Sequence, residues 1–143
     1  MAKKWIYIGA FLDDFVKSNL LNKYKEYIPE GWTLYGDHTT FAFNDGSPFA
    51  EAVFNHYKDA VGVKINLVSV GLGISDRAVA LELSQVGFEC TNKIMHITLA
   101  VAPGAKPVES NNINEWEPLA VNDMIPSQIG VFANGQKIFE KQW

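Results

Sequence analysis

The run Gly62-Val63-Lys64-Ile65-Asn66-Leu67-Val68-Ser69-Val70-Gly71-Leu72-Gly73, followed after Ile74-Ser75-Asp76-Arg77 by Ala78-Val79-Ala80-Leu81-Glu82-Leu83-Ser84-Gln85, decides the fold. Both segments alternate or run apolar with the two-residue repeat of a strand, and the tetrad between them reads as a hairpin turn, so an antiparallel pair is expected. Ile94–Ala102 reads as a further strand. Short strands near Glu117–Val121, Ile129–Asn134 and Gln136–Phe139 follow, the last two around an Asn134-Gly135 turn. Upstream, Trp5–Leu12 reads as a strand, and Asp13 or Asp14 caps a helix to about Tyr27 with Phe15, Leu20, Leu21, Tyr24 and Ile28 as its apolar stripe. Pro29-Glu30-Gly31 stops that helix. Trp32–Phe43 reads as the next strand; Ser47 as cap and Pro48 at the first helical position then open a second helix to about Ala60, bearing Ala50, Val53, Phe54 and Tyr57. Pro103–Asn112, polar and broken by Pro and Gly, reads as a long loop of the kind that carries function. A β-α-β-α start followed by strands argues an α+β fold with antiparallel sheets.

At 143 residues and 48% apolar, the chain is expected to form one domain, 1–143, with a real core. The single cysteine, Cys90, excludes an internal disulfide framework and fits a reducing compartment. No apolar run reaches the length of a membrane span, and the start Met1-Ala2-Lys3-Lys4-Trp5-Ile6-Tyr7, with Asp13-Asp14 close behind, is unlike a signal peptide. A cytoplasmic location is the reading. Twelve Lys and Arg against sixteen Asp and Glu leave a net charge of -4, which argues against a protein that tracks a long nucleic acid backbone. Arg77 is the only arginine, so a phosphate ligand would have to be held by lysines, hydroxyls, histidines and backbone N–H groups.

Two of the three histidines sit in matching contexts, His38-Thr39-Thr40-Phe41 and His96-Ile97-Thr98-Leu99, each on an expected strand. Strand alternation points His38 with Thr40, and His96 with Thr98, so each segment offers an imidazole beside a hydroxyl. Cleavage of a phosphodiester needs one group to take a proton and another to protonate the departing oxygen, and imidazole, with a pKa of about 6.5, serves either role near neutrality. The hydroxyls can donate to the non-bridging oxygens where charge builds. His56, on a helix without a threonine partner, reads as a surface residue.

The paired motifs resemble the 2H phosphoesterase superfamily. That resemblance implies a bilobal fold with antiparallel sheets lining a central cleft and helices outside, and a metal-independent phosphodiesterase without cofactor. It makes His38 and His96 the acid and base and Thr40 and Thr98 their phosphate-binding partners. Among its branches the chain looks similar to phage anti-CBASS nucleases that cleave cyclic oligonucleotide messengers and so evade host immunity, which implies a substrate that is a cyclic or a 2′,5′-linked oligonucleotide. The alternatives are an RNA-processing 2′,3′-cyclic phosphodiesterase and a non-catalytic nucleotide-binding module of the same fold. Asp37 departs from the pattern, where an apolar residue is usual, and a carboxylate there can orient His38.

Base-holding candidates are Tyr7, which the resemblance ranks first, and Trp116, then Trp32, Tyr35 and Trp143, with Glu117 as a polar contact. Lys4, Lys64 and Lys106 could add charge near phosphate. Gly71-Leu72-Gly73 lacks the residues of a phosphate loop and reads as a strand-end kink. A metal site is rejected because Asp37 and His38, as strand neighbours, would point to opposite faces. The oligomeric state is left open.

Overall fold

The structure, a computed structural model, describes residues 4–143; Met1-Ala2-Lys3, part of the start read above against a signal peptide, lies outside the described residues. Its elements are β1 (Tyr7–Phe11), α1 (Asp14–Lys23), β2 (Thr33–Leu34), β3 (His38–Phe43), α2 (Pro48–Tyr57), β4 (Lys64–Ile74), β5 (Ala78–Leu83), β6 (His96–Val101), β7 (Trp116–Pro118), β8 (Met124–Ala133) and β9 (Gln136–Ile138). Short 3₁₀ turns at Lys25–Tyr27, Lys58–Ala60 and Pro107–Asn112 complete it. The α+β class stands. Among the described residues no helix is long and apolar enough to cross a membrane.

Instead of forming separate sheets, the strands join into one, and the cycle β4-β5-β6-β3-β1-β8 closes on itself. The length of β4 explains the closure. One of its edges carries β5 along Ser69–Ile74, while β7 lies opposite Gly71–Gly73 and β8 opposite Lys64–Val68. β3 meets β6 at one bridge only, Thr39 opposite Ile97, where the buried Thr39 hydroxyl also donates to the His96 carbonyl at 2.7 Å. Beyond it Thr91 N–H takes the Phe41 carbonyl, so the segment after β5 lies between the two strands.

Several local readings change for physical reasons. Trp32–Phe43 is two strands because Gly36, at φ +76, breaks it where the chain changes partners: Gly36 N–H still bonds to β6 at Thr98, but the Asp37 carbonyl takes Leu12 N–H beside β1. Helix α1 begins as expected, with Asp13 accepting from Val16 N–H at 2.8 Å, yet it ends at Lys23. Phe15 is 75% exposed, since five residues carry it about 140° round the helix from buried Leu20. β8 starts at Met124, not Ile129, because Pro126 weakens the strand signal without preventing pairing opposite Asn66. The long loop holds the 3₁₀ turn Pro107–Asn112, and Asn134-Gly135, with φ 53 and 73, makes the two-residue turn between β8 and β9.

The main core lies between the inner strand faces and the helices. Ile8, Phe41, Leu67, Leu81, Ile97, Leu99 and Val131 pack with Leu20 and Tyr24 of α1 and with Ala50, Val53, Phe54 and Tyr57 of α2. Phe41 stacks on Tyr57 at 4.1 Å and Trp5 on Phe54 at 4.3 Å. A smaller cluster of Ala78, Ala80, Val101 and Ile113 gathers Tyr35 and Trp116. β1 comes so close to β3 that a Cβ on Gly9 would stand 2.1 Å from the Thr39 carbonyl oxygen, a backbone atom with nowhere to go. Gly9→Ala is therefore expected to lower stability by about 1–3 kcal/mol, read as a reduced urea midpoint; an unchanged midpoint would contradict this approach of β1 to β3.

Candidate active site

Alternation along β3 turns Thr39 and Phe41 into the core and His38 and Thr40 outward; along β6 it buries Ile97 and Leu99 and turns out His96 and Thr98. Because the bridge joins Thr39 to Ile97 antiparallel, His38 lies level with Thr98 and Thr40 with His96. Each histidine thus neighbours the other motif's hydroxyl. All four line one cleft of 560 Å³, which Tyr7, Tyr35, Phe43, Asn92, Val108 and Asn111 also line.

The two imidazoles have different surroundings. His96 is only 9% exposed, and its Nδ1 lies 2.8 Å from the Ile94 carbonyl oxygen, which can only accept. Nδ1 therefore carries the proton, and Nε2 of the neutral ring presents its lone pair. Burial holds the His96 pKa below its ordinary value; the Ile94 carbonyl opposes that shift, and the positive charge of His38 adds to it. His38 Nδ1 is also buried, without a hydrogen-bond partner, but 3.4 Å from Asp37 Oδ1, an ion-pair contact too long for a well-formed hydrogen bond. That histidine, against the opposing effect of burial, holds the Asp37 carboxyl down at about 2. Asp37 precedes the first residue of β3, so strand alternation does not govern it, and the expectation that it points away from His38 is overturned. The ground given for rejecting a metal site therefore falls, although among the described residues no group of three or more His, Cys, Asp or Glu could hold one.

Tyr7 packs flat against His38, ring centroids 4.9 Å apart, and Phe11 flanks the same imidazole at 5.5 Å. Phe132 covers the other side of Tyr7 at 5.2 Å. Burial and the nearby Asp37 carboxylate push the Tyr7 phenol up to about 12, so it stays protonated and can donate. The Thr98 hydroxyl shares a 2.8 Å hydrogen bond with that of buried Ser110, on the Pro107–Asn112 turn. Arg77 is spent elsewhere. Its Nε and a terminal nitrogen donate to Glu109 Oε1 and Oε2 at 2.9 and 3.2 Å, tying that turn to the β4–β5 hairpin.

The remaining candidates separate. Trp116 lies beside His96, ring centroids 6.2 Å apart, in an adjoining hollow, and Tyr35 lines the main cleft. Glu117, next to Trp116 in β7, falls on the opposite face and lines a different hollow with Tyr27, Leu72 and Glu115. Trp32 and Trp143 pack against the main core, Lys64 lines a groove beside Phe11, and His56 is exposed. Phe43, 57% exposed in the cleft, was missed, as were Asn92, Ser110 and Asn111. Phe43 was not legible from alternation, which would turn it inward with Thr39 and Phe41; the pairing with β1 shifts register between Thr40 and Ala42, and Phe43 comes out on the cleft side. The asparagines come from segments between strands, where no two-residue period marks a direction.

Residues 23–138 match the family profile of the fungal tRNA ligase phosphodiesterase domain. No curated protein sequence matches the chain. The crystal structure of a fungal RNA kinase superposes with a TM-score of 0.64 at 12% identity, over 98% of this chain and 46% of that one. The chain thus spans about half the length of that protein, and at this identity the likeness is one of fold. The profile takes in both histidine motifs and most of the chain, which therefore belongs to the fungal tRNA ligase phosphodiesterase domain family, within the 2H phosphoesterases.

Proposed function

We propose that the chain is a two-histidine phosphodiesterase that opens a 2′,3′-cyclic phosphate at an RNA 3′ end to a monoester. The observation that carries this reading is the convergence of His38, Thr40, His96 and Thr98 on one cleft with unequal imidazoles. His96, neutral and with Nε2 unprotonated, takes a proton from water as its oxygen bonds to phosphorus. His38, beside the Asp37 carboxylate, acts as the acid and gives a proton to the ribose oxygen whose bond to phosphorus breaks. Thr40 and Thr98 donate to the non-bridging oxygens. In this reading two lobes flank the cleft, β9-β8-β1-β3 and β7-β4-β5-β6-β2, meeting at the Thr39–Ile97 bridge.

The family match supports an RNA end, the alternative weighed above, over the cyclic messengers of phage immune evasion. Cyclic oligonucleotides and 2′,5′-linked oligonucleotides would use the same proton transfers, so they belong in the same assay. Purified protein in EDTA is expected to hydrolyse a 2′,3′-cyclic phosphate in preference to both. His38→Ala and His96→Ala should each lose about 10²–10⁴-fold in kcat. Turnover by either variant at the parent rate, or selective cleavage of a cyclic oligonucleotide, would sink the proposal.

A pH profile tests the roles. His96 must be neutral to act as base and its pKa is depressed, so kcat/KM should rise with pH along an acid limb centred below the ordinary imidazole value of about 6.5. An acid limb centred above that value would exclude His96 as the base.

A further inference from the structure

His96 borders two hollows rather than one. Beyond the 560 Å³ cleft, His96 also lines a second hollow of 270 Å³, and Asn92 and Asn111 line both. The wall of the second hollow is the Trp116 indole. That ring is planted against Gly73, where a Cβ would come within 2.6 Å of it, and its Nε1–H donates to the Ile113 carbonyl at 3.2 Å. Around it stand the Asn114 amide and the exposed Lys93, and no carboxylate lines the space. A fixed aromatic surface, amides that can donate and accept, and one ammonium are the groups that hold a nucleobase and its phosphate. By contrast, the hollow beside Glu117 also contains Glu115 and would repel a phosphate.

We infer that the second hollow holds the nucleotide on the 5′ side of the one carrying the cyclic phosphate, so that the preferred substrate is an RNA 3′ end of at least two nucleotides. This rests on the two-histidine reading. The terminal nucleoside lies in the main cleft, its 5′-phosphate passes between Asn92 and Asn111, and the preceding base stacks on Trp116. A mononucleotide leaves this hollow empty.

The test compares kcat/KM for a dinucleotide ending in a 2′,3′-cyclic phosphate with that for a mononucleoside 2′,3′-cyclic phosphate. The parent should favour the dinucleotide by about tenfold or more, the worth of one stacked base. Trp116→Ala should bring the ratio close to one and Trp116→Phe should largely keep it. Asn114→Ala, which removes an exposed side chain and leaves the core intact, should lower the same ratio even if Trp116→Ala fails to fold. A mononucleoside bearing a 5′-phosphate should recover only part of the preference, and Lys93→Ala should abolish that part. A ratio near one in the parent, or one unchanged in both Trp116→Ala and Asn114→Ala, overturns the inference while leaving the two-histidine reading intact. Absence of turnover on both substrates overturns both.

Discussion

The single bridge between β3 and β6, with the hydrogen bond from the Thr39 hydroxyl to the His96 carbonyl, is the constraint on which the site depends. Elsewhere the closed sheet is held by ladders several residues long, but here one residue pair sets the register of both histidine motifs. A buried carbonyl satisfied by a buried hydroxyl resists slippage, because breaking the bond leaves both groups unpaired out of reach of water. A one-residue slip would turn His96 and Thr98 into the core and Ile97 and Leu99 into the cleft.

From that bridge follows the unequal treatment of two chemically identical side chains. His96 lies deep in the seam, with Nδ1 against the Ile94 carbonyl, and burial favours its neutral form. His38 lies at the very start of β3, where the chain has just left β6 at Gly36, and that change of partner brings the Asp37 carboxylate to its ring. The two imidazoles are thereby distinguished by backbone geometry. Tyr7, Phe11 and Phe132 form an aromatic stack that keeps the His38 imidazole in one plane.

The scarcity of arginine has a structural counterpart. Arg77 holds Glu109, and through it the turn that presents Ser110 to Thr98 and Asn111 to the cleft. The acidic net charge that argued against a long nucleic acid is compatible with a site that grips only the last nucleotides of a strand, since phosphate neutralisation then counts for little and stacking and hydrogen bonds for more.

Much of this was written in local sequence. Asp13 and Ser47 cap helices through contacts three residues away, Asn134-Gly135 turns a hairpin by its own φ preferences, and the alternation over His38–Phe41 and His96–Leu99 separates cleft from core without reference to any other element. The paired His-x-Thr motifs are legible for the same reason. Other features depend on contacts between residues far apart in the chain. The closing of the sheet required β4 to meet both β5 and β8, and the break at Gly36 required β6 and β1 to compete for one segment. Trp116 reaches His96 because Gly73 leaves space beneath it, whereas Glu117, its neighbour, is carried to another hollow. Sequence by itself determined which residues have the chemistry and which face of a strand they share; only the tertiary structure decided which of them meet, because register, partner exchange and burial are settled between segments rather than within them.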